Sequence, residues 1–273
     1  MLILTIILSL CIGLLLGLLG GGGSILTVPM LVYILGIEAK SAIVTSFVVV
    51  GSSSLIALLP HARSKAVCWK SGFWFGSSGM LSAYFGGHLA IRFSNQSLMI
   101  MFGLVSLLAG LAMMSKHSFS SDSHQDTSRL SICPLRIPFF KLILTGSLVG
   151  FITGMVGVGG GFLIVPVLSM LVGLPIQGAI GTSLLIIFLN ASSGLMAYSQ
   201  HIDLDWHLVT IVVGATLAGS LAGGLINAHV QPARLKQAFS ILVVIVACYV
   251  LYQNLPSTLS LNYADWYLGD AHV

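Results

Sequence analysis

The chain has 273 residues and a formal net charge of +4, and only 7% of its side chains are charged, where a soluble domain carries about 25%. With 56% apolar residues and a mean hydropathy of +1.03, a water-soluble surface is excluded, and so is any sizeable extramembrane domain. The composition is that of an all-α polytopic membrane protein, surrounded over most of its surface by the lipid bilayer.

The first apolar stretch, residues 2–19, has no basic leader and no small-x-small cleavage site, so it reads as a retained helix. It runs into Gly20, Gly21, Gly22 and Gly23, and beyond Ser24 lies a short apolar piece, residues 25–35, that contains Pro29. Eleven helical residues rise only about 16 Å, roughly half of a 30 Å hydrocarbon core, which predicts a half-helix or re-entrant segment. Stretches 42–59, with Thr45 and Ser46 near its start, 71–91 and 98–114 follow. Residues 116–138 are polar and Ser-rich with prolines, the composition of a solvated linker. The same five-part pattern then returns: 142–156, the glycines Gly157, Gly159, Gly160 and Gly161, the short 162–172 with Pro166, then 179–199 with Thr182, Ser183 and Asn190, 207–228 and 235–252.

The return is a repeat. A shift of 137 residues lays Gly13 on Gly150, Pro29 on Pro166, Thr45 and Ser46 on Thr182 and Ser183, and Ser53 on Asn190. From 13 to 46 there are 14 identities in 34 pairs, against about 3 for unrelated apolar segments. The chain therefore divides into a first membrane repeat (1–115), the linker (116–138), a second membrane repeat (139–253) and a C-terminal tail (254–273). Counting five direction-changing elements per half puts 9 of the 11 Lys and Arg on one side, in the loop after residue 60, the central linker and the loop after residue 228. By the positive-inside rule that side is the cytoplasm, which makes the central linker cytoplasmic and the two halves inverted repeats.

Unwound backbone at membrane depth is tolerated where it is buried in protein or lines a watery cavity. Paired glycine breaks at matching positions of two repeats point to a central transport site. Half-helices starting beside each break would aim N–H groups and positive dipole ends at that site, favouring an anion. The competing reading is that the glycines serve close helix packing. Thr45, Ser46, Thr182, Ser183 and Asn190 would complete an oxyanion shell, or hydrogen-bond between helices.

All seven carboxylates lie outside the long apolar stretches, so no acidic proton relay is expected, and His88 is the one titratable candidate inside a stretch. The loop 201–207, with two His and two Asp, reads as solvated rather than metal-binding, and the four cysteines imply neither a zinc site nor a disulfide framework. No cofactor and no nucleic-acid partner are implied: the basic residues are scattered, and no Lys-Ser/Thr follows the glycines. An intramembrane hydrolase would need a nucleophile and base in a recognisable constellation, and G-x-S-x-G and H-E-x-x-H are both missing. The expectation is therefore a carrier rather than an enzyme, with a passive anion channel or an intramembrane enzyme as the alternatives.

The doubled blocks GLLGGGGSILTVPMLVYILGI and GMVGVGGGFLIVPVLSMLVGL, each followed by an Ala and a Thr-Ser pair, resemble the TauE/SafE sulfite exporter family over nearly the whole chain. That resemblance implies a multi-pass inner-membrane carrier of sulfite, a sulfonate or a related sulfur-containing or organic anion. It also assigns the substrate-binding positions to Gly20 through Ser24, Pro29, Thr45, Ser46, Gly157 to Gly161, Pro166, Thr182 and Ser183. Ser24 stands opposite Gly161, which makes the two halves chemically unequal there.

Overall fold

The computed structural model describes residues 2–19, 21, 23–114, 139–157, 160–170, 172–174, 176–198, 205–226 and 240–255, and these form helices and short connections without a strand among them. In chain order they are α1 (Leu2–Leu19), α2 (Ser24–Pro29) running on as a π-helical turn (Met30–Ile34), α3 (Ala39–Arg63), α4 (Trp69–Ala90) and α5 (Asn95–Met114). The second half supplies α6 (Phe139–Val156), α7 (Gly161–Met170), α8 (Ile176–Tyr198), α9 (Trp206–Ile226) and α10 (Ser240–Leu255). The linker 116–138, the loop 199–204, residues 227–239 and the tail from 256 lie outside the described residues, so the boundaries expected there are neither met nor missed.

Among the described residues, four helices are long and apolar enough to cross a membrane: Ala39–Arg63, Asn95–Ala112, Gly178–Tyr198 and Trp206–Leu225. The bundle turns Leu81, Phe85, Leu108, Leu148 and Leu225 outward, each more than 60% exposed. Such a surface is a liability in water and the normal outer face in lipid. The short piece expected after the first glycines is present as Ser24–Ile34. It widens to π geometry directly after Pro29, whose missing N–H and bulky ring disturb the preceding turn.

Small residues set the packing. A Cβ at Gly150 would stand 2.2 Å from the Gly79 carbonyl oxygen and one at Gly154 2.3 Å from that of Ala83, so α6 and α4 lie backbone to backbone and parallel. The same contact recurs at the 137-residue offset with the halves exchanged: Gly13 against Thr216 and Gly17 against Ser220 hold α1 parallel to α9. Each half thus wraps its first helix around the fourth helix of the other. This is the small-residue packing that membrane bundles use in place of a hydrophobic drive. At the centre α3 and α8 pass in opposite senses, Gly51 lying against Ala191 and Gly194 against Phe47. α4 runs parallel to α8, with Gly72 beside Thr182, Gly76 beside Ile186 and Leu189, and Gly87 beside Ala197.

Two details depart from the sequence reading. His61 and Arg63, expected in a loop, form the last turn of α3, with His61 buried and its Nδ1 3.0 Å from the Ala57 carbonyl oxygen. Cys68 is disulfide-bonded where the cysteine spacing implied no disulfide framework; spacing along the chain carries no information about which cysteines pair.

The start of α9 is fixed by Asp205, whose Oδ1 accepts the N–H groups of His207 (3.1 Å) and Leu208 (3.3 Å). Asp205→Ala is expected to destabilise the protein by about 1 kcal/mol through loss of this cap, read as a lowered midpoint in detergent thermal unfolding. An unchanged midpoint would show that the cap contributes nothing.

Candidate functional site

The two glycine segments meet. A Cβ on Gly161 would stand 2.4 Å from the Gly21 carbonyl oxygen and 2.6 Å from its Cα, so the backbone that leads into α2 touches the first residue of α7 with no side chain between them. Gly21 has a φ of 115°, open to glycine and closed to residues with a Cβ. It also abuts Ile187 of α8, whose Cδ1 lies 2.3 Å from the Cβ position. Gly20, Gly22 and Gly159 lie outside the described residues.

The segments are braced by hydroxyls. Ser24 donates from Oγ to the Gly21 carbonyl oxygen at 2.6 Å, and the Ser24 N–H reaches the same oxygen at 3.1 Å. Gly157 closes α6 with a φ of 78° and its N–H bonded to Thr153 at 3.0 Å, a left-handed helix cap. Its own carbonyl accepts from Ser46 Oγ of α3, a hydroxyl shared with the Ile43 carbonyl at 2.7 Å. Ser183, at the repeat position of Ser46, donates to the Ile180 carbonyl at 2.7 Å. Thr182 Oγ1 accepts the N–H of Cys68 at 2.9 Å, which docks the α3–α4 connection on the start of α8.

Thr45 and Pro29 are buried, and Pro166 lies within α7. A Cβ on Gly23 would stand 2.3 Å from the Ile12 oxygen of α1, and one on Gly160 2.6 Å from Cγ2 of Thr153. These two glycines, which sequence reasoning would mutate to block a substrate, are therefore packing positions as well. Ser46→Ala removes the hydroxyl that bridges α3 to the end of α6 and is expected to cost about 1 to 3 kcal/mol, the penalty of a buried acceptor left unpaired. Thermal unfolding checks this; a loss within error would mean the bridge is dispensable.

Unused hydrogen-bonding capacity sits elsewhere. Asn190, 1% exposed in the middle of α8, has no partner for either amide atom among the described residues, and the Ser53, Ser54 and Thr27 hydroxyls are likewise buried without one. Asn190 and Ser53 are repeat equivalents. Thr27 went unremarked in the sequence, although it is a hydroxyl inside the apolar α2. His88 lies exposed on the outer face of α4, stacked on Tyr84 with ring centroids 6.4 Å apart.

The family model "Sulfite exporter TauE/SafE" matches residues 5–250. The chain belongs to that family. A "Probable membrane transporter protein" of Xylella fastidiosa (strain 9a5c) is 33% identical over 247 residues, covering 89% of this chain and 92% of its own length. YunE of Bacillus subtilis (strain 168), with the same description, is 26% identical over 269 residues, covering 93% and 98%. One from Methanocaldococcus jannaschii is 29% identical over 263 residues, covering 91% and 94%. No solved structure matches the chain. This TauE/SafE member is a membrane transporter, embedded in the bilayer and acting on a small molecule.

Proposed function

We propose that this TauE/SafE member carries a small anion, sulfite or a related sulfur-containing or organic oxyanion, across the inner membrane, and that the anion binds where the glycine breaks of two inverted repeats come together. The observation that carries the reading is the backbone contact of Gly21 with Gly161. It brings the two segments together at one point, against Ile187 of α8, three residues before Asn190. The inverted arrangement is supported by helix directions: α4 parallels both α6 and α8, α1 parallels α9, and α3 opposes α8. With these senses the α3–α4 connection and both ends of the central linker fall on one side, the basic and cytoplasmic one. Positive dipole ends at α2 and α7, with the backbone N–H groups there that the Gly21, Gly23 and Gly160 carbonyls do not already take, suit an anion without trapping it, since no Lys or Arg stands on α2, on α7 or in the middle of the described helices around them.

The test is a flux screen in proteoliposomes with sulfite, sulfate, thiosulfate, sulfoacetate and small carboxylates, with and without a pH gradient. Saturable flux of at least one of these above protein-free vesicles is expected; flux of none would end the proposal. Topology is checked separately by single cysteines at Lys65 and Asp205, which should label from opposite sides of the membrane. Labelling from the same side would contradict inverted repeats.

A further inference from the structure

We propose that the anion taken by this site is a singly charged oxyanion that keeps one O–H, and that Asn190 selects it; the inference rests on the site reading above. Asn190 is buried in the middle of α8 with both Oδ1 and Nδ2 unpartnered. It stands one turn beyond Ile187, the residue that touches Gly21, so its side chain lies on the helix surface next to the glycine contact. On its other flank Gly79 of α4 leaves the amide its space: a Cβ there would be 2.8 Å from Asn190 Oδ1 and 3.2 Å from the Gly146 oxygen. Among the described residues the Ser53, Ser54 and Thr27 hydroxyls are buried without partners as well.

Hydrogen-bond matching then decides between ligands. A fully ionised oxyanion only accepts; it satisfies Nδ2 but leaves Oδ1 orphaned, which is costly in a buried site. A monoanion that retains an O–H donates that proton to Oδ1 while another of its oxygens accepts from Nδ2, so both amide atoms are paired. Charge points the same way. The titratable side chains on α8 and the described helices packed against it are Lys40, His61 and Arg63 on α3, Lys70, Tyr84 and His88 on α4, Lys141 on α6 and Tyr198 on α8. Seven of these occupy the first or last three residues of their helices, and Tyr84 is exposed on the outer face of α4. No cation at the depth of Asn190 offsets a second negative charge, whose desolvation is expensive.

Methylphosphonate and methanesulfonate make a matched pair of probes. At about pH 5, below the roughly 6 at which phosphoryl groups lose a second proton, both are monoanions of the same shape, and only the phosphonate carries an O–H. Equilibrium binding of each radiolabelled probe to the purified full chain in detergent should favour methylphosphonate roughly tenfold, the worth of one hydrogen bond. Asn190→Leu should erase that ratio and Asn190→Gln should retain part of it, whereas a purely structural Asn190 would leave the ratio unmoved; Asn190→Ala replaces the Leu variant if that one is not monodisperse. Equal affinities in the wild type, no methylphosphonate binding, or an unchanged ratio in the variant overturns the inference alone. Failure of the underlying site reading shows differently, as sulfite flux unaffected by Gly161→Val.

Discussion

Gly161→Val is expected to abolish anion flux, lowering it at least 100-fold in proteoliposomes while the protein still purifies as a single species. The added Cβ would lie 2.4 Å from the Gly21 carbonyl oxygen and 2.7 Å from its carbonyl carbon. Backbone cannot rotate away as a side chain can, so the two glycine segments must separate and the geometry between them is lost. Gly161 starts a helix rather than holding a left-handed conformation, so the substitution acts through this contact and not through backbone strain. Gly36→Ala is the companion control: its φ of 69° makes it a strained position, but nothing lies within 4 Å of the added Cβ. It should lose about 1 kcal/mol of stability and retain flux. Normal transport by Gly161→Val would reduce the glycine contact to packing.

The second large effect falls on stability. Gly150→Val places a branched side chain where α6 meets α4 at 2.2 Å from the Gly79 oxygen and 2.5 Å from its Cα. Overpacking of side chains costs about 1 to 3 kcal/mol, and here the neighbour is a helix backbone, so the loss should reach at least the top of that range. Detergent-extracted protein is expected to aggregate or to unfold far below the wild-type midpoint. Gly214→Ala in α9 meets nothing within 4 Å and should be neutral or stabilising by up to about 1 kcal/mol. Should both substitutions leave the midpoint unchanged, the parallel α4–α6 pairing would be wrong.

The repeat is what the sequence made most legible, because identity at a fixed offset survives in residues whose backbone role is shared. Gly13, Gly17, Gly150 and Gly154 were visible at that offset, yet their partners were not, since each packs on the other half and sequence spacing cannot express a contact with Thr216 or Gly79. The glycine signal also mixed two functions. Gly21 and Gly161 touch each other, whereas Gly23 and Gly160 seat against α1 and Thr153, and nothing in the local pattern separates the pairs. The hydroxyls at Ser46 and Thr182 stood out as polar residues in apolar helices, but whether such a group faces a ligand or a carbonyl is a question of tertiary geometry. Both bond to backbone, while Asn190, weighed alongside them, has its amide unpaired among the described residues. Thr27 was hidden by its surroundings: one hydroxyl among apolar neighbours has no periodicity to mark it.

The central claim is that the anion binds at the meeting point of the two glycine segments, and a cryo-electron microscopy map tests it most directly. The full chain in lipid nanodiscs would be saturated with whichever anion the flux screen selects. The account predicts density for that anion within hydrogen-bonding distance of the backbone around Gly21 and Gly161, with Asn190 of α8 alongside. Density bound elsewhere in the membrane interior, with Gly21 and Gly161 still in direct contact, would contradict it.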